Sequence, residues 1–474
     1  MPGLFGTDGV RGVANVTLTP EQTLRIGRAG ADHLATRGKG GDGRDAKAAD
    51  RPLLVLGRDS RLSGDLLAAA LTAGCCSVGV DVVDAGIVPT PGVAFLTRHL
   101  GAAGGVMISA SHNPVDDNGV KFFDAAGYKL SPEAEEDVEA KVLSKQDRMP
   151  RPSGAGVGCR KDGHQHARAY ADHLVTSVGG EGALAGALPP LVIADLAFGA
   201  TARFGAQVLR RAGARVVAMN DIWDGSRINV RCGSTNPEVM AKRVTEEGAI
   251  AGLAFDGDGD RVIAADEKGR IVDGDHILAV LGLDLIARKT LPKKTVVATV
   301  MSNLGLDLAL REVGGKVTRT PVGDRAVLQE MLASGVALGG EQSGHVILAQ
   351  HATTGDGILV GLHLLSVVAR SGRMLSELAG KVVKLPQVLV NVKVQKKDKL
   401  ETSEKVATAI ERVREALGHT GSVLVRSSGT EPFVRIMIEG RDAKRIGEMA
   451  MTLARVVAAE LGGEIVQSQE PKGE

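Results

Sequence analysis

Residues Gly104–Phe123 read GGVMISASHNPVDDNGVKFF. The apolar opening, Gly105–Ser109, has the length of one buried strand, and Ser111 stands just beyond its end. Ligands of open α/β sheets collect past the carboxyl ends of the strands. His112, Asn113 and Pro114 then form a polar turn, and Asn118-Gly119 reads as a second turn before Lys121. A hydroxyl, an imidazole and an amine within a few residues suit a nucleophile beside its activators. A polar loop with a capping serine is the plainer alternative, and the spacing favours the chemical one.

On both sides of this stretch, strand-like and helix-like segments alternate. Upstream lie a short apolar run at Leu53–Leu56, a helical stretch Gly64–Gly79, a strand at Asp81–Val83 and a helix Gly92–Leu100. Downstream, Ser131-Pro132-Glu133 opens an acidic helix with serine as N-cap and proline in the first turn. The cadence restarts at Leu191–Ala194, Thr201–Ala212, Arg215–Ala218, Pro237–Glu247 and Ala249–Phe255. A third round runs through Thr295–Val300, Gly305–Val313, Lys316–Thr320, Arg325–Ser334 and Val336–Leu338. The remainder differs, with strands at Gln387–Val394, Ser422–Val425 and Val434–Glu439 and helices at Glu401–Leu417 and Asp442–Leu461. The predicted fold class is α/β: three similar mixed α/β domains and a smaller α+β C-terminal domain. The expected bounds are 1–160, 161–266, 267–384 and 385–474.

Composition narrows the function. With 474 residues, a prior of about 150 per domain suggests three or four domains. A net charge of +1 and 2% aromatics give no hint of nucleic acid or an anionic membrane as partner. The longest apolar runs, Ile277–Ala287 and Ile358–Ala369, are too short to span a bilayer, and MPGLFGTDGVRG, with no basic stretch followed by an apolar one, does not read as a signal peptide. Four cysteines without Cys-x-x-Cys spacing suggest reduced thiols in a cytoplasm, with Cys75–Cys76 as core filler. Arg37–Arg51, crowded with Gly, Asp, Lys and Arg, reads as a solvated insertion. Its Gly38-x-Gly40-x-x-Gly43 mimics a dinucleotide fingerprint, but a helix precedes it and no helix follows.

Four further loops carry reactive groups. Phe255–Val262, FDGDGDRV, sets Asp256, Asp258 and Asp260 at alternate positions, and Gly257 and Gly259 allow the backbone to coil them onto one centre. Three hard oxygen ligands suit Mg²⁺. An EF-hand is the rival, with Glu267 where its bidentate ligand should lie, but Arg261 replaces the needed glycine and both flanks read as strands. Gly339–His345, GGEQSGH, offers a carboxylate, an amide, a hydroxyl and an imidazole, the groups that read sugar hydroxyls; an ordinary turn fits as well. Arg426–Arg435, RSSGTEPFVR, can wrap a phosphate with backbone N–H groups, hydroxyls and a guanidinium; a hairpin turn with solvated polar residues is the alternative. Gly6–Gly12, GTDGVRG, places Arg11 near the start and in isolation is any tight turn.

In this order, the loops resemble those of the α-D-phosphohexomutase superfamily, nearest to its glucosamine-specific branch, from Gly3 to about Gly462. The resemblance implies a phosphoserine at Ser111 and Mg²⁺ held by Asp256, Asp258, Asp260 and a phosphoserine oxygen. Arg11, Arg261 and Lys121 would surround the transferring phosphoryl group, with His345 and Lys121 as proton carriers. Glu341 and Ser343 would contact sugar hydroxyls; Arg426, Ser427, Ser428, Gly429 and Thr430 would grip the phosphate that is not reacting. It further implies four domains around a central cleft, a phosphosugar substrate, and a 1,6-bisphosphate of glucosamine or glucose as primer. A homodimer and a kinase that primes Ser111 belong to the same expectation. Val115 and Ser427 depart from the usual pattern but remove no reacting group. Gln342, where related mutases more often carry methionine, tilts the expected substrate towards glucosamine; phosphomannomutase/phosphoglucomutase activity and a sugar phosphatase are the rivals.

Overall fold

The computed structural model describes residues 3–6, 8–37, 51–186, 189–395, 399–428 and 432–469. The fold separates into two compact units, Met1–Thr299 with Thr318–Gly380, and Val300–Val317 with Lys381–Glu474. Of the charged stretch Arg37–Arg51, residues 38–50 lie outside the described residues, and the Gly38–Gly43 pattern with them.

Three sheets build the first unit. Strands β1 (Val10–Val13), β2 (Leu53–Arg58), β3 (Asp81–Ile87), β4 (Gly104–Ile108), β5 (Asp117–Asp124) and β6 (Arg160–Asp162) lie in the order β1-β5-β4-β2-β3-β6. β2 is parallel to β3 and β4, and β5 returns antiparallel against β4. The central strands are apolar on both faces because helices cover them. Leu54, Leu56, Val106 and Ile108 pack with Ile26, Leu67 and Leu71 from the helices Pro20–Arg37 and Gly64–Cys76. Cys75 is buried in the same layer and its thiol donates to the Gly27 carbonyl, a packing role as expected. Ser131 caps the helix Pro132–Leu143 by accepting from the Ala134 N–H.

One turn expected from the sequence is absent. Asn118-Gly119 lies inside β5, where Gly119 faces Arg11 of β1. The Asn118 side chain donates to Ser63 and accepts from the Gly119 N–H, so a dipeptide that usually turns is held extended by its tertiary partners.

The second sheet comprises β7 (Leu191–Asp195), β8 (Arg215–Met219), β9 (Ala251–Phe255), β10 (Val262–Asp266) and β11 (Ile271–Val272), in the order β11-β10-β9-β7-β8. The third contains β12 (Thr295–Thr299), β13 (Lys316–Thr320), β14 (Leu338–Gly340) and β15 (Val346–Leu348), in the order β13-β12-β14-β15. All three sheets repeat one device: a strand that runs parallel to its inner neighbour is followed by an antiparallel return, as β4–β5, β9–β10 and β14–β15. The connections between these pairs are the loops singled out in the sequence.

In the second unit, β16 (Gln387–Val394), β17 (Gly421–Ser427), β18 (Phe433–Gly440) and β19 (Gly463–Gln469) form an antiparallel sheet in the order β17-β18-β16-β19. Val390, Val392, Ile436 and Ile438 alternate inward against Leu453 and Val457 of the helix Ala443–Leu461. β19 is an addition to the sequence reading, which ends at that helix. Asn303 both caps the helix Leu304–Arg311 and exchanges two hydrogen bonds with the Leu385 backbone, each 2.9 Å, which ties this excursion of the chain to the last domain. Among the described residues, no helix is long and apolar enough to cross a membrane.

Candidate active site

β4 delivers the chain to Ser111, whose φ of 52° is left-handed. For a residue with a Cβ that conformation costs about 1–2 kcal/mol, so neighbours must impose it. Arg61 does so from the end of the adjacent strand β2. Buried and paired with Asp59 at 3.0 Å, it donates to the carbonyls of Ser111 (3.0 Å), Asn113 (2.8 Å), Asp117 (2.8 Å) and Pro114. Asn229 adds a bond to the Ser111 carbonyl at 2.9 Å, and the Ser111 N–H donates to Ser109 Oγ, itself anchored on Asp59. Sequence reasoning missed this clamp. Its signal was Asp59-x-Arg61 just past a buried strand, the position that earned Ser111 attention.

The aspartates occupy the hairpin loop between β9 and β10. Gly259 there has φ 74°, as the coiling requires, whereas Gly257 matters for space. A Cβ at Gly257 would stand 2.6 Å from the Ser111 carbonyl. The two loops therefore touch, and Ser111 Oγ donates to Asp256 Oδ2 at 2.6 Å. Asp256, Asp258 and Asp260 each offer an oxygen, all within 4.8 Å of one another, and all three residues are buried. Burial and the charges of Asp260 and Asp258 push the Asp256 carboxyl well above its ordinary range. Oδ1 of Asp258 and of Asp260 is buried without a hydrogen-bond partner. Carboxylates this close, with orphaned oxygens, fit a divalent cation.

Cations surround the triad. Lys121 on β5 is buried between Asp258 (3.3 Å) and Asp8 (3.0 Å); burial lowers its pKa, but those carboxylates outweigh it and raise the ammonium above its ordinary value. Thr90 donates to Asp258 Oδ2 at 2.6 Å. The Arg261 N–H donates to Asp256 at 3.1 Å while its guanidinium lies 3.8 Å from Asp260. Arg11 reaches Asn113 Oδ1 at 3.0 Å and pairs with Asp8. His345 Nδ1 stands 3.4 Å from Asp260, and despite burial the charges of Asp260 and Asp324 raise its pKa. His112, 3.3 Å from Ser111 Oγ, is lowered to about 4 by burial, Arg261 and Arg11, and is neutral at pH 7.

The β14–β15 loop abuts this centre through the Val262 N–H, which donates to the Gly344 carbonyl at 3.2 Å. Glu341 accepts from the Gly323 N–H at 3.0 Å, and Ser343 is exposed. The structure thus gathers Ser111, Asp256, Asp258, Asp260, Lys121, Arg11, Arg261 and His345, with Glu341 and Ser343 on the adjoining loop. Asp8, Lys129 and Asp324, which complete the ion pairs, were not foreseen because they are distant in sequence. Arg426, Ser427 and Ser428 belong to the second unit, at the end of β17, and Gly429 and Thr430 lie outside the described residues. Arg426 faces Arg435 across the ladder; burial and the Arg435 charge lower its pKa.

A hydroxyl held against a cation-binding carboxylate cluster and flanked by fixed positive charge is an arrangement for phosphoryl transfer. Comparisons agree. Residues 2–149, 168–269, 273–385 and 389–456 match, in that order, domains I, II and III and the C-terminal domain of phosphoglucomutase/phosphomannomutase. The phosphoglucosamine mutase of Moorella thermoacetica is 52% identical over 458 residues, covering 97% of this chain and 100% of that one. That of Symbiobacterium thermophilum is 50% identical over 462 residues, with coverage of 97% and 100%. A phosphoglucomutase/phosphomannomutase family protein from Burkholderia thailandensis superposes with a TM-score of 0.81 at 25% identity, over 98% of this chain and all of that one. The chain is therefore a mutase that moves a phosphoryl group within its substrate, and it belongs to the phosphoglucomutase/phosphomannomutase family, in the group of the phosphoglucosamine mutases.

Proposed function

We propose that phospho-Ser111 donates its phosphoryl group to O1 of glucosamine 6-phosphate, forming a 1,6-bisphosphate that reorients and returns its 6-phosphate to Ser111. Glucosamine 1-phosphate is then released. The observation that carries the reading is the 2.6 Å contact of Ser111 Oγ with Asp256 in a loop whose strained backbone is clamped by Arg61. Asp256, Asp258 and Asp260 would hold Mg²⁺, which when bound neutralises charge on the phosphoryl oxygens. Arg11, Arg261 and Lys121 share that task from the protein side. Lys121, kept charged by Asp258 and Asp8, and His345, whose pKa Asp260 and Asp324 raise against burial, are the two candidate proton carriers. Glu341 and Ser343 orient the ring, and Arg426, Ser427, Ser428, Gly429 and Thr430 grip the distal phosphate.

The reading includes a division into domains at 1–160, 161–266, 267–384 and 385–474. It also includes a cytoplasmic setting, a bisphosphate primer or a kinase to charge Ser111, a homodimer, and a role in amino-sugar metabolism leading to UDP-N-acetylglucosamine. Incubation of glucosamine 6-phosphate with Mg²⁺ and catalytic glucose 1,6-bisphosphate should yield the 1-phosphate. Free phosphate would identify a phosphatase, and faster turnover of mannose or glucose 6-phosphate a phosphomannomutase/phosphoglucomutase. Chelation should abolish activity reversibly; full turnover after exhaustive metal removal would overturn the role of the aspartates.

A further inference from the structure

Ser111 and the aspartates account for moving a phosphoryl group and say nothing about what distinguishes an amino sugar from its hydroxyl counterpart. At C2 the difference is one group, an ammonium in place of a hydroxyl, and an ionised carboxylate is the side chain that rewards the former. A cavity of about 170 Å³ in the first unit is lined by Lys129, Ser131, Arg325 and His345, and among its described lining residues Asp324 alone is acidic.

Asp8, Glu135 and Glu341 do not line this cavity. Asp8 is shared by Arg11, Lys121 and Lys129, and Glu135 pairs with Arg325. Glu341 Oε1 is taken by the Gly323 N–H. Asp324 opens the helix Asp324–Ser334 one residue beyond that contact, so it stands beside the loop assigned to the sugar hydroxyls. Its Oδ2 lies 4.0 Å from His345 Nε2, and His345 in turn meets Asp260 of the triad. Asp324 accepts from the Arg325 N–H through Oδ1 at 2.8 Å and pairs with Lys129 through Oδ2; because Lys129 also holds Asp8, it keeps that carboxylate if a second cation competes for Asp324. Burial works against ionisation here, but Lys129 and His345 outweigh it and keep the carboxyl below its ordinary range.

Resting on the mutase reading above, we infer that Asp324 is the specificity-determining residue for the amino sugar, its carboxylate accepting a charge-assisted hydrogen bond from the C2 ammonium. Glucose 6-phosphate offers a neutral hydroxyl at the same place and forfeits the charged part of the bond.

The test is kcat/KM for glucosamine 6-phosphate and glucose 6-phosphate in wild type, Asp324→Asn and Asp324→Glu. The ratio between the sugars should fall roughly ten- to a hundredfold in Asp324→Asn, almost entirely through glucosamine 6-phosphate. Asp324→Glu retains the charge and the Lys129 pair, so it keeps the fold even where Asp324→Asn does not, and it should keep a preference for glucosamine reduced severalfold. Equal losses on both sugars, or an unchanged ratio in Asp324→Glu when Asp324→Asn cannot be purified, would overturn the inference and leave Asp324 as a support for Lys129. A wild-type enzyme that does not prefer glucosamine 6-phosphate would instead overturn the mutase reading's choice of substrate, a separate failure.

Discussion

The loop around Ser111 and the strand end at Arg426 are both assigned to phosphate, yet they are built in opposite ways. Ser111 is buried, left-handed and fixed by hydrogen bonds from Arg61 and Asn229, and its hydroxyl is aimed at Asp256. Arg426 is half-buried on the edge strand β17, facing another arginine, and Ser427 next to it is exposed. A group that breaks and makes bonds must be held in one geometry, away from water, because small displacements cost large factors in rate. A group that grips a phosphate needs only to present positive charge and N–H donors, and the field of two like charges supplies the attraction. The buried region therefore stores strain and unpaired oxygens, whereas the strand end stores charge.

If that contrast holds, Ser111→Ala should preserve the fold and lose at least about a thousandfold in turnover, as loss of a nucleophile does. Steady-state kinetics with intact-mass analysis for a phosphorylated fraction at Ser111 would check it. Normal turnover would remove the basis of the comparison.

Next in size is Arg61→Ala. It strips the donor from four carbonyls and leaves Asp59 buried without its cation, so stability should fall by about 3–5 kcal/mol in denaturant unfolding. Arg61→Lys should recover little, because an ammonium cannot reproduce the fork. A loss below about 1 kcal/mol would mean the Ser111 loop holds itself.

A pH test reaches the same region through Asp356, which caps the helix Gly357–Ser371; the first N–H of that helix donates to the Gly259 carbonyl at 3.0 Å. Burial raises the Asp356 carboxyl to about 6, against the opposing bonds from the Leu359 N–H and the Tyr170 hydroxyl. Above the ordinary value of about 3.9 the folded state then binds the proton more tightly than the unfolded chain. The stabilisation is complete below about pH 4 and is lost as pH rises through about 6. Relative to Asp356→Asn, which keeps an acceptor for the Leu359 N–H, wild type should lose about 2–3 kcal/mol between pH 4 and 7. A slope of opposite sign would refute the assignment.

At the strand end the expected effects are smaller and of another kind. Arg426→Ala should leave stability within about 0.5 kcal/mol and weaken glucosamine, glucose and mannose 6-phosphates by a common factor of roughly ten to a hundred. Unequal losses would show that Arg426 reads the sugar as well as the phosphate.

Local pattern was enough for the elements and for most of the groups that meet at the candidate site. Apolar runs of strand length, helical periodicity and the Ser131 cap are local properties, and each formed where expected within a few residues. Three aspartates separated by glycines likewise announce a cation, because like charges at that spacing need one. What the tertiary structure decided is everything that depends on two segments meeting. Asn118-Gly119 became part of a strand because Ser63 and β1 were there to hold it. Ser111 adopted a conformation that no local preference favours because Arg61, 50 residues earlier, held its carbonyl. Asp8, Lys129 and Asp324 became one ion-pair chain although 195 positions separate Lys129 from Asp324. Electrostatic energy depends on distance in space and on burial, and a list of residues records neither.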